Sequence, residues 1–264
     1  REVAEVASDL PPRIDIPQVL KMTDIECFEY EDTRQEILNE YGGKNAALPM
    51  LQKLRMYCTH PSIVGEKKTG DPAKSSAKYQ RVCELLEEIT ALGEKTLLFT
   101  SYNAMFSILA EDIPARLGIP VYAINGSTPT EERQKIIDEF SKLYGASLLV
   151  LNPRAAGTGL NITAATRVIH YNLEWNPALE DQASARAYRR GQQNTVFVYR
   201  LYYKDTVEEI INERIEKKRD MFDHAVVGVD GEDDNTGDIL KALMMSPTGG
   251  KYEKATYRQG SQFE

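Results

Sequence analysis

Short apolar runs alternate with helix-forming stretches through the middle of the chain, and this alternation restricts the possible folds more than any other feature. Each run has the length of one buried strand and is followed by residues with helical spacing or helix-capping character. Strands that alternate with helices need crossover connections, which produce a mostly parallel sheet covered by helices on both faces. The fold class is therefore predicted to be α/β. The predicted strands occupy residues 95–102, 120–125, 146–152, 167–172 and 196–203.

Capping residues set the expected starts of the main helices. A helix is predicted over residues 103–117, directly after the first of these strands. Thr128 is expected to cap a second helix, with Pro129 in its first position. Thr206 is expected to cap the last long helix, with Glu209 completing a capping box. The apolar side of that last helix is expected to consist of Val207, Ile210, Ile211 and Ile215.

The two ends of the chain differ from its centre. Residues 9–17 (DLPPRIDIP) form an extended, proline-rich stretch, and two helical patterns in the first ninety residues predict a helical subdomain packed against the sheet. After residue 229 the sequence becomes acidic and polar, with one short helix predicted over residues 239–245. The apolar positions of the two helical patterns are Leu48, Leu51, Leu54, Tyr79, Val82, Cys83 and Leu86. The predicted units are residues 1–75, 76–229 and 230–264.

Charge and cysteine content exclude several classes of protein. The net charge of −8 argues against a uniformly basic nucleic-acid-binding surface, although it allows a local basic groove. The three cysteines, Cys27, Cys58 and Cys83, are scattered, which favours reduced thiols over a disulfide framework or a metal site. No apolar run is long enough to cross a membrane. The chain opens on Arg1 and not on methionine, which allows further sequence upstream.

A cluster of arginines follows a well-marked helix start. Asn176 is a good N-cap and the proline after it suits the first helical position, so a helix is predicted from there to Gly191. On such a helix Gln182, Arg186 and Arg189 share one face. No acidic residue lies three or four positions from either arginine. Their partner is therefore a carboxylate from elsewhere in the fold or an external anion, unless this is simply a solvated basic helix end.

The loop after the strand at 146–152 is rich in small residues. Gly157 and Gly159 bracket Thr158 in the sequence NPRAAGTGLN. Glycine lets backbone amides approach a phosphate closely, although such loops are also ordinary turns. Trp175, the single tryptophan, precedes the arginine-rich helix and is typical of core or interdomain packing.

The order and spacing of five segments resemble those of a known family. The segments are LLFTSY, NGSTPTEER, PRAAGTGLNITAATRVIHYN, EWNP and QASARAYRRGQ. Together they resemble the second-lobe motifs of superfamily two helicases, and most closely the Swi/Snf-type DNA-dependent ATPases. The resemblance covers residues 9–229. It implies a RecA-like sheet, preceded by a helical subdomain and followed by a bracing helix.

The same resemblance implies roles for particular residues. Arg186 and Arg189 are implied to be arginine fingers that act on ATP, which with its Mg²⁺ is bound mainly by a first lobe. Residues implied to contact nucleotide are Gly157, Thr158, Gly159 and Gln182. Residues implied to contact the nucleic-acid backbone are Ser101, Tyr102, Gly126, Ser127, Thr128, Asn161 and Trp175. The sequence departs from the family pattern at Ala156, usually glycine, and at Tyr188, usually histidine.

First-lobe motifs are missing from the sequence, which contains no G-x-x-x-x-G-K-[ST] loop. The chain is therefore predicted to be the second lobe of a longer ATPase and inactive alone. The implied partners are a first lobe of the same polypeptide and double-stranded DNA, with no membrane. Two alternatives stay open, a non-catalytic nucleic-acid-binding module and a protein-interaction domain with decayed motifs. The compact connections favour a bacterial, nucleoid-associated protein of the cytoplasm over a nuclear one.

Overall fold

The computed structural model describes residues 10–41, 46–65, 70–155, 159–224 and 244–248. Most of the predicted C-terminal tail (230–264) and most of its short helix (239–245) lie outside the described residues. In the described part of the chain, no helix is long and apolar enough to cross a bilayer.

Six parallel strands form one sheet in the described part of the chain. They are β1 Arg13–Leu20, β2 Lys95–Phe99, β3 Val121–Ile124, β4 Ser147–Leu151, β5 Arg167–His170 and β6 Val196–Tyr203. Their order in the sheet is β1-β6-β5-β2-β4-β3. All five strands predicted from the sequence are confirmed, most of them with slightly shorter bounds. The α/β class predicted from the alternation of elements is confirmed as well.

β1 is the strand that the sequence analysis missed. Its proline-rich segment is extended as predicted, but it also pairs with β6 at the sheet edge. The carbonyl oxygens of Pro12 and Leu20 accept hydrogen bonds from the amides of Val196 and Lys204. Because alternate residues of a strand direct their N–H and C=O groups to the same side, Pro17 faces away from β6. Its missing N–H therefore costs the sheet no hydrogen bond.

Helices cover both faces of the sheet. The helices among the described residues are α1 Asp24–Tyr41, α2 Ala47–Thr59, α3 Pro72–Ser75, α4 Ala77–Ala91, α5 Asn103–Leu117, α6 Thr130–Lys142, α7 Pro177–Ser184 and α8 Val207–His224. α4 and α5 pack on one face against side chains that include Leu98 and Val150, while α6 and α7 pack on the other against Leu97 and Leu149. This alternation follows from the two-residue period of a strand, which directs successive side chains to opposite faces.

The start of α6 differs from the prediction. The helix begins at Thr130 with Pro129 at the N-cap position, so the expectation that Thr128 caps it is wrong. Thr128 instead closes the preceding turn, where its Oγ1 accepts a hydrogen bond from the Asn125 amide at 3.0 Å. Thr128 bonds to Asn125 and does not cap the helix, because this bond satisfies the Asn125 amide, a backbone donor that the end of β3 leaves without a partner in the sheet.

The start of α8 is close to the prediction. Thr206 Oγ1 accepts a hydrogen bond from the Glu208 amide at 3.2 Å, as an N-cap does. The Glu209 carboxylate reaches the amide of Asp205 at 2.8 Å, one residue before the expected one. The predicted apolar side of this helix is confirmed, since its four members are buried: Val207, Ile210, Ile211 and Ile215.

The helices of the first segment share a hydrophobic core with the end of the sheet. Tyr30 on α1 and Leu54 on α2 pack in one cluster with Tyr203 of β6 and Ile210 of α8. The helical subdomain is therefore packed against the sheet, as predicted, although β1 from the same segment is part of the sheet itself. The division of the chain at residue 75 stays a prediction.

A buried polar cluster holds these elements together at the carboxyl end of β6. Lys78 Nζ on α4 lies 2.6 Å from Glu208 Oε1 on α8, and the Lys78 side chain has no solvent exposure. The Tyr203 hydroxyl accepts from the Lys78 amide at 2.8 Å and donates to Glu26 Oε1 on α1 at 2.6 Å. Glu208 also accepts from the Tyr203 amide at 2.9 Å. Burial raises the pKa of Glu208, and the Lys78 ammonium opposes that rise.

Replacing Lys78 by methionine is expected to destabilise the fold by about 3 to 5 kcal/mol, because it leaves the Glu208 carboxylate buried without a counter-charge. Urea denaturation of the purified chain measures the free energy of unfolding. The matched control is Lys78→Met with Glu208→Gln, which removes both charges and keeps an acceptor for the Tyr203 amide. The double variant should recover most of the loss. A Lys78→Met variant as stable as wild type would contradict the stabilising role of this pair.

Candidate functional site

The loops that carry the candidate residues meet at one edge of the sheet. Because all six strands run in the same direction, the segments after β2, β3, β4 and β5 all leave at the carboxyl edge. These strands are neighbours in the sheet, so their loops form one continuous surface. Carboxyl edges are where open α/β sheets bind ligands.

The loops after β2 and β5 are joined through buried polar groups. Thr100 Oγ1 donates to Asn172 Oδ1 at 2.8 Å, and the Ser101 hydroxyl donates to the Glu174 carboxylate. Tyr102 occupies the N-cap position of α5 and is half-buried against the core, which raises the pKa of its phenol. Ser101 is therefore half-buried in a fixed position, whereas Tyr102 also has a packing role.

The loop after β3 is a tight turn with an exposed tip. Asn125 Oδ1 accepts from the Ser127 amide at 3.0 Å and from the Ser127 hydroxyl at 2.7 Å. Gly126 and Ser127 are exposed, and Thr128 is half-buried. An asparagine side chain that bonds the backbone two residues ahead is a typical way to stabilise such a turn.

Arg133 connects this turn to the loop after β4, a link that the sequence analysis did not identify. Its Nε donates to the carbonyl of Thr128 at 3.0 Å, and its Nη1 donates to the carbonyl of Ala155 at 3.2 Å. The guanidinium thereby fixes two loops from one position in the first turn of α6. The arginine at the end of the NGSTPTEER motif is the sequence signal for this link.

The glycine-rich loop contacts the arginine-bearing segment. The Ile162 amide donates to the carbonyl of Arg186 at 3.0 Å, and Arg189 Nη1 donates to the carbonyl of Gly159 at 3.4 Å. Gly159 adopts a φ of 66°, a left-handed conformation that favours glycine, and Asn161 is exposed. The other two members of the predicted nucleotide loop, Gly157 and Thr158, lie outside the described residues.

The arginines do not lie on a helix. Asn176 caps α7 as predicted, with its Oδ1 accepting from the Ala178 amide at 3.1 Å, but the helix ends at Ser184. The expectation that Gln182, Arg186 and Arg189 share one helical face is therefore wrong. Gln182 is exposed on α7, while both arginines lie in the turns that follow it.

Tertiary hydrogen bonds explain why the helix stops early. The Gln192 side-chain amide lies within hydrogen-bond distance of three carbonyls, those of Thr163, Ala165 and Ala187. The carbonyl of Arg186 is also occupied, because it accepts from the Ile162 amide of the glycine-rich loop. Carbonyls that bond to another segment cannot all continue the helical ladder, so the chain forms successive turns.

The charges of the two arginines are not neutralised by an ion pair among the described residues. Neither Arg186 nor Arg189 forms a salt bridge with any carboxylate in the described part of the chain. Arg186 Nε is buried and has no hydrogen-bond partner there. Burial lowers the pKa of Arg186, and the neighbouring charge of Arg189 lowers it further. A buried, unpartnered N–H beside a second guanidinium is suited to an anionic ligand.

Trp175 packs between the loop after β5 and α8. It is half-buried against the cluster that contains Ile211 and Ile215, and the Arg214 guanidinium lies 5.0 Å from its ring centroid. The packing role expected of a lone tryptophan is therefore confirmed, while its contact with nucleic acid stays a prediction.

The described residues contain no group of three or more His, Cys, Asp or Glu side chains that could hold a metal ion. Cys27, Cys58 and Cys83 are free thiols.

Known proteins resemble this chain in sequence and fold. Residues 77–191 match the family model described as helicase conserved C-terminal domain, so this part of the chain is a helicase carboxyl-terminal domain. The chain is 34% identical over 229 residues to a Bacillus subtilis protein named as an ATP-dependent helicase/translocase, YwqA. That alignment covers 84% of this chain and 25% of YwqA, so the chain spans a quarter of that relative's length.

Two solved structures from Sulfolobus solfataricus identify the type of lobe. The SWI2/SNF2 ATPase C-terminal domain is 25% identical, with a TM-score of 0.68 over 89% of this chain and 99% of that one. The SWI2/SNF2 ATPase core in complex with dsDNA is 28% identical, with a TM-score of 0.70 over 90% of this chain and 49% of that one. The chain belongs to the SWI/SNF-type family of helicase-like ATPases, and its sheet is the RecA-like sheet of their carboxyl-terminal domain.

His170, the last residue of β5, lies beneath this site and is expected to make stability depend on pH. The ring stacks on Phe99 with centroids 5.4 Å apart, and its Nε2 lies 2.8 Å from Ser184 Oγ. Its Nδ1 is buried and has no hydrogen-bond partner among the described residues. Burial lowers the pKa of His170 to about 3, with smaller contributions from Arg13, Arg219 and Arg200.

Because the unfolded chain takes up a proton at His170 near pH 6.5 and the folded chain does not, stability is lost as the pH falls below that value. When the pH falls from about 7.5 to about 4.5, the free energy of unfolding of wild type should decrease by about 2 to 3 kcal/mol more than that of His170→Gln. Urea denaturation across this range measures the difference. The glutamine variant removes the titrating ring and keeps a polar group near Ser184. Parallel pH profiles for the two proteins would show that His170 is not responsible.

Proposed function

We propose that the chain is the second lobe of an ATP-dependent translocase or remodeller of double-stranded DNA. The observation that carries this proposal is the pair of guanidiniums at Arg186 and Arg189. They lie against the glycine-rich loop, without carboxylate partners in the described residues, and one of them has a buried N–H that no described group accepts. Such an arrangement suits the transferring phosphoryl group of ATP held on a first lobe.

The residues of this chain fit a nucleotide phosphate in a specific way. Arg186 and Arg189 would supply positive charge as negative charge builds up during phosphoryl transfer. The exposed backbone at Gly159 would approach the phosphates closely, and the amide of Gln182 on α7 would face the nucleotide. ATP, with Mg²⁺ held mainly by the first lobe, would supply the group that is transferred.

The exposed tips of the same edge are proposed to contact duplex DNA through its backbone. Gly126, Ser127 and Asn161 expose small polar groups or bare backbone, and Ser101 is half-buried in a loop that its hydrogen bond to Glu174 holds fixed. Contacts of this kind to phosphates position DNA without reading its sequence. The likeness to an ATPase core solved with dsDNA supports the choice of duplex DNA. Tyr102, Thr128 and Trp175 would contribute from half-buried positions behind these tips.

Arg186→Ala and Arg189→Ala are each expected to lower DNA-stimulated ATP turnover by a factor of about 10³ or more, because each removes charge from the phosphoryl group in the transition state. The assay uses the longer protein that contains this chain and a first lobe. Nucleotide binding should change little, since ATP is held mainly by the first lobe. Arg190→Ala is the matched control, because Arg190 is an exposed neighbour outside the proposed site.

Unchanged ATP turnover in both arginine variants would contradict the proposal and would favour a non-catalytic binding or interaction module. The 264-residue chain alone is expected to hydrolyse ATP negligibly. Rapid DNA-stimulated turnover by the isolated chain would contradict the need for a first lobe.

Ser127→Glu and Asn161→Glu are each expected to weaken binding to duplex DNA about 5- to 50-fold, because each places a carboxylate where the phosphates would lie. Tyr144→Glu is the control, since Tyr144 is fully exposed just before β4, at the opposite edge of the sheet. Fluorescence polarisation with two duplexes of unrelated sequence measures the affinity at two salt concentrations. An effect restricted to one sequence, or equal losses in all three variants, would contradict backbone contact at this edge.

A further inference from the structure

A buried carboxylate lies between the candidate DNA surface and the arginines, and the roles considered so far do not use it. Glu180 is the fourth residue of α7 and has no solvent exposure. Its Oε1 accepts a hydrogen bond from the Glu174 amide at 2.9 Å, and its Oε2 accepts from Arg219 Nη2 at 3.3 Å. One side chain therefore bonds to the loop after β5 and to α8 from a position on α7.

The first of these bonds leads to the candidate DNA contacts. The Glu174 carboxylate accepts a hydrogen bond from the Ser101 hydroxyl, and the Glu174 amide donates one to Glu180. Glu174 therefore connects Glu180 to the loop after β2. The next residue is Trp175, which packs against α8 beneath the Arg214 guanidinium. A displacement of this loop would thus pull on Glu180 through a hydrogen bond that is shielded from water.

The end of α7 connects Glu180 to the arginines. Only three residues separate Glu180 from the end of α7 at Ser184, and the turns with Arg186 and Arg189 follow directly. A helix of this length moves as one rigid piece, because its backbone hydrogen bonds fix the residues relative to each other. The orientation of α7 therefore determines where the arginine-bearing turns begin.

α8 supplies the third point of attachment. Arg219 on α8 binds Glu180 and also Asp181 Oδ1 at 3.1 Å, and it lies 3.7 Å from Glu216. The charged groups that act on Glu180 are Arg219 and Arg200, which favour its ionised form, and Asp181, which opposes it. Burial raises the pKa of Glu180 to about 7 and outweighs both the arginines and the hydrogen bond from the Glu174 amide, which oppose the rise.

We infer that Glu180 is a positioning residue. It couples the loop after β5, which carries Glu174 and Trp175, to the turns that carry Arg186 and Arg189. The functional part of this inference rests on the proposed motor function. Contact of DNA with the loop would then be transmitted through α7 to the position of the arginines. Arg219 on α8 binds the other oxygen of the Glu180 carboxylate, and α8 stays in place while α7 moves.

Hydrogen exchange on the isolated chain tests the structural coupling without any assumption about activity. Glu180→Ala should speed amide exchange about tenfold or more in residues 185–192 as well as at Glu174, because the bond that holds α7 to the loop is lost. Glu180→Gln should keep exchange close to wild type, since its amide oxygen can still accept from Glu174. Asp181→Ala is the matched control, because it removes a neighbouring carboxylate on the same arginine without touching that loop.

Faster exchange confined to Glu174 in Glu180→Ala, with residues 185–192 unchanged, would overturn the inference. Equal effects of Glu180→Ala and Asp181→Ala on residues 185–192 would also overturn it, because the arginine contact alone would then explain them. Retained protection in Glu180→Gln excludes simple unfolding as the cause.

ATP turnover by the longer protein that contains a first lobe tests the functional reading. Glu180→Ala should lower kcat at saturating DNA about tenfold while the dissociation constant for duplex DNA changes less than about twofold. Glu180→Gln should restore kcat. Wild type without DNA-stimulated turnover would contradict the proposed function, and the exchange result would still decide the coupling. Turnover in Glu180→Ala equal to wild type would overturn the functional part of the inference.

Discussion

The buried ion pair between Lys78 and Glu208 is the interaction on which the arrangement of this lobe depends. It joins α4 to α8 at the carboxyl end of β6, and Tyr203 extends it to Glu26 on α1. Charges this deeply buried are tolerated only when every partner is in place, because an unpaired charge in the interior is costly. The cluster therefore requires the N-terminal helices, the sheet and the bracing helix to adopt one specific arrangement.

The parallel sheet turns this arrangement into a functional surface. Parallel strands deliver their following loops to one edge, and short local bonds then fix each loop, as at Asn125 and Ser101. Side chains from helices add a second level of order, since Arg133 joins two loops and Glu180 joins three elements. The arginines are held in turns against the glycine-rich loop and have no carboxylate partner among the described residues. Fixed loops and arginines without a carboxylate partner among the described residues are the features on which the proposed function rests.

Local sequence patterns predicted a helix or strand well where residues close in sequence determine its structure. The five central strands, the helix over residues 103–117 and the cap at Asn176 were predicted in this way. β1 was missed because its pattern is proline-rich, and only pairing with β6 makes it a strand. The extent of the arginine-bearing helix was wrong because Gln192 and Ile162, both distant from its start, take carbonyls that a helix would use.

The sequence by itself determined the α/β class, the order of the motifs and the identity of the charged residues, because these depend on periodicity and composition along the chain. It also indicated that no acidic residue on the same segment would neutralise Arg186 and Arg189. Only the tertiary structure decided where those arginines lie, which loops Arg133 connects and what surrounds Glu180. Such contacts join residues far apart in sequence, and their strength comes from burial and geometry that exist only after the chain has folded.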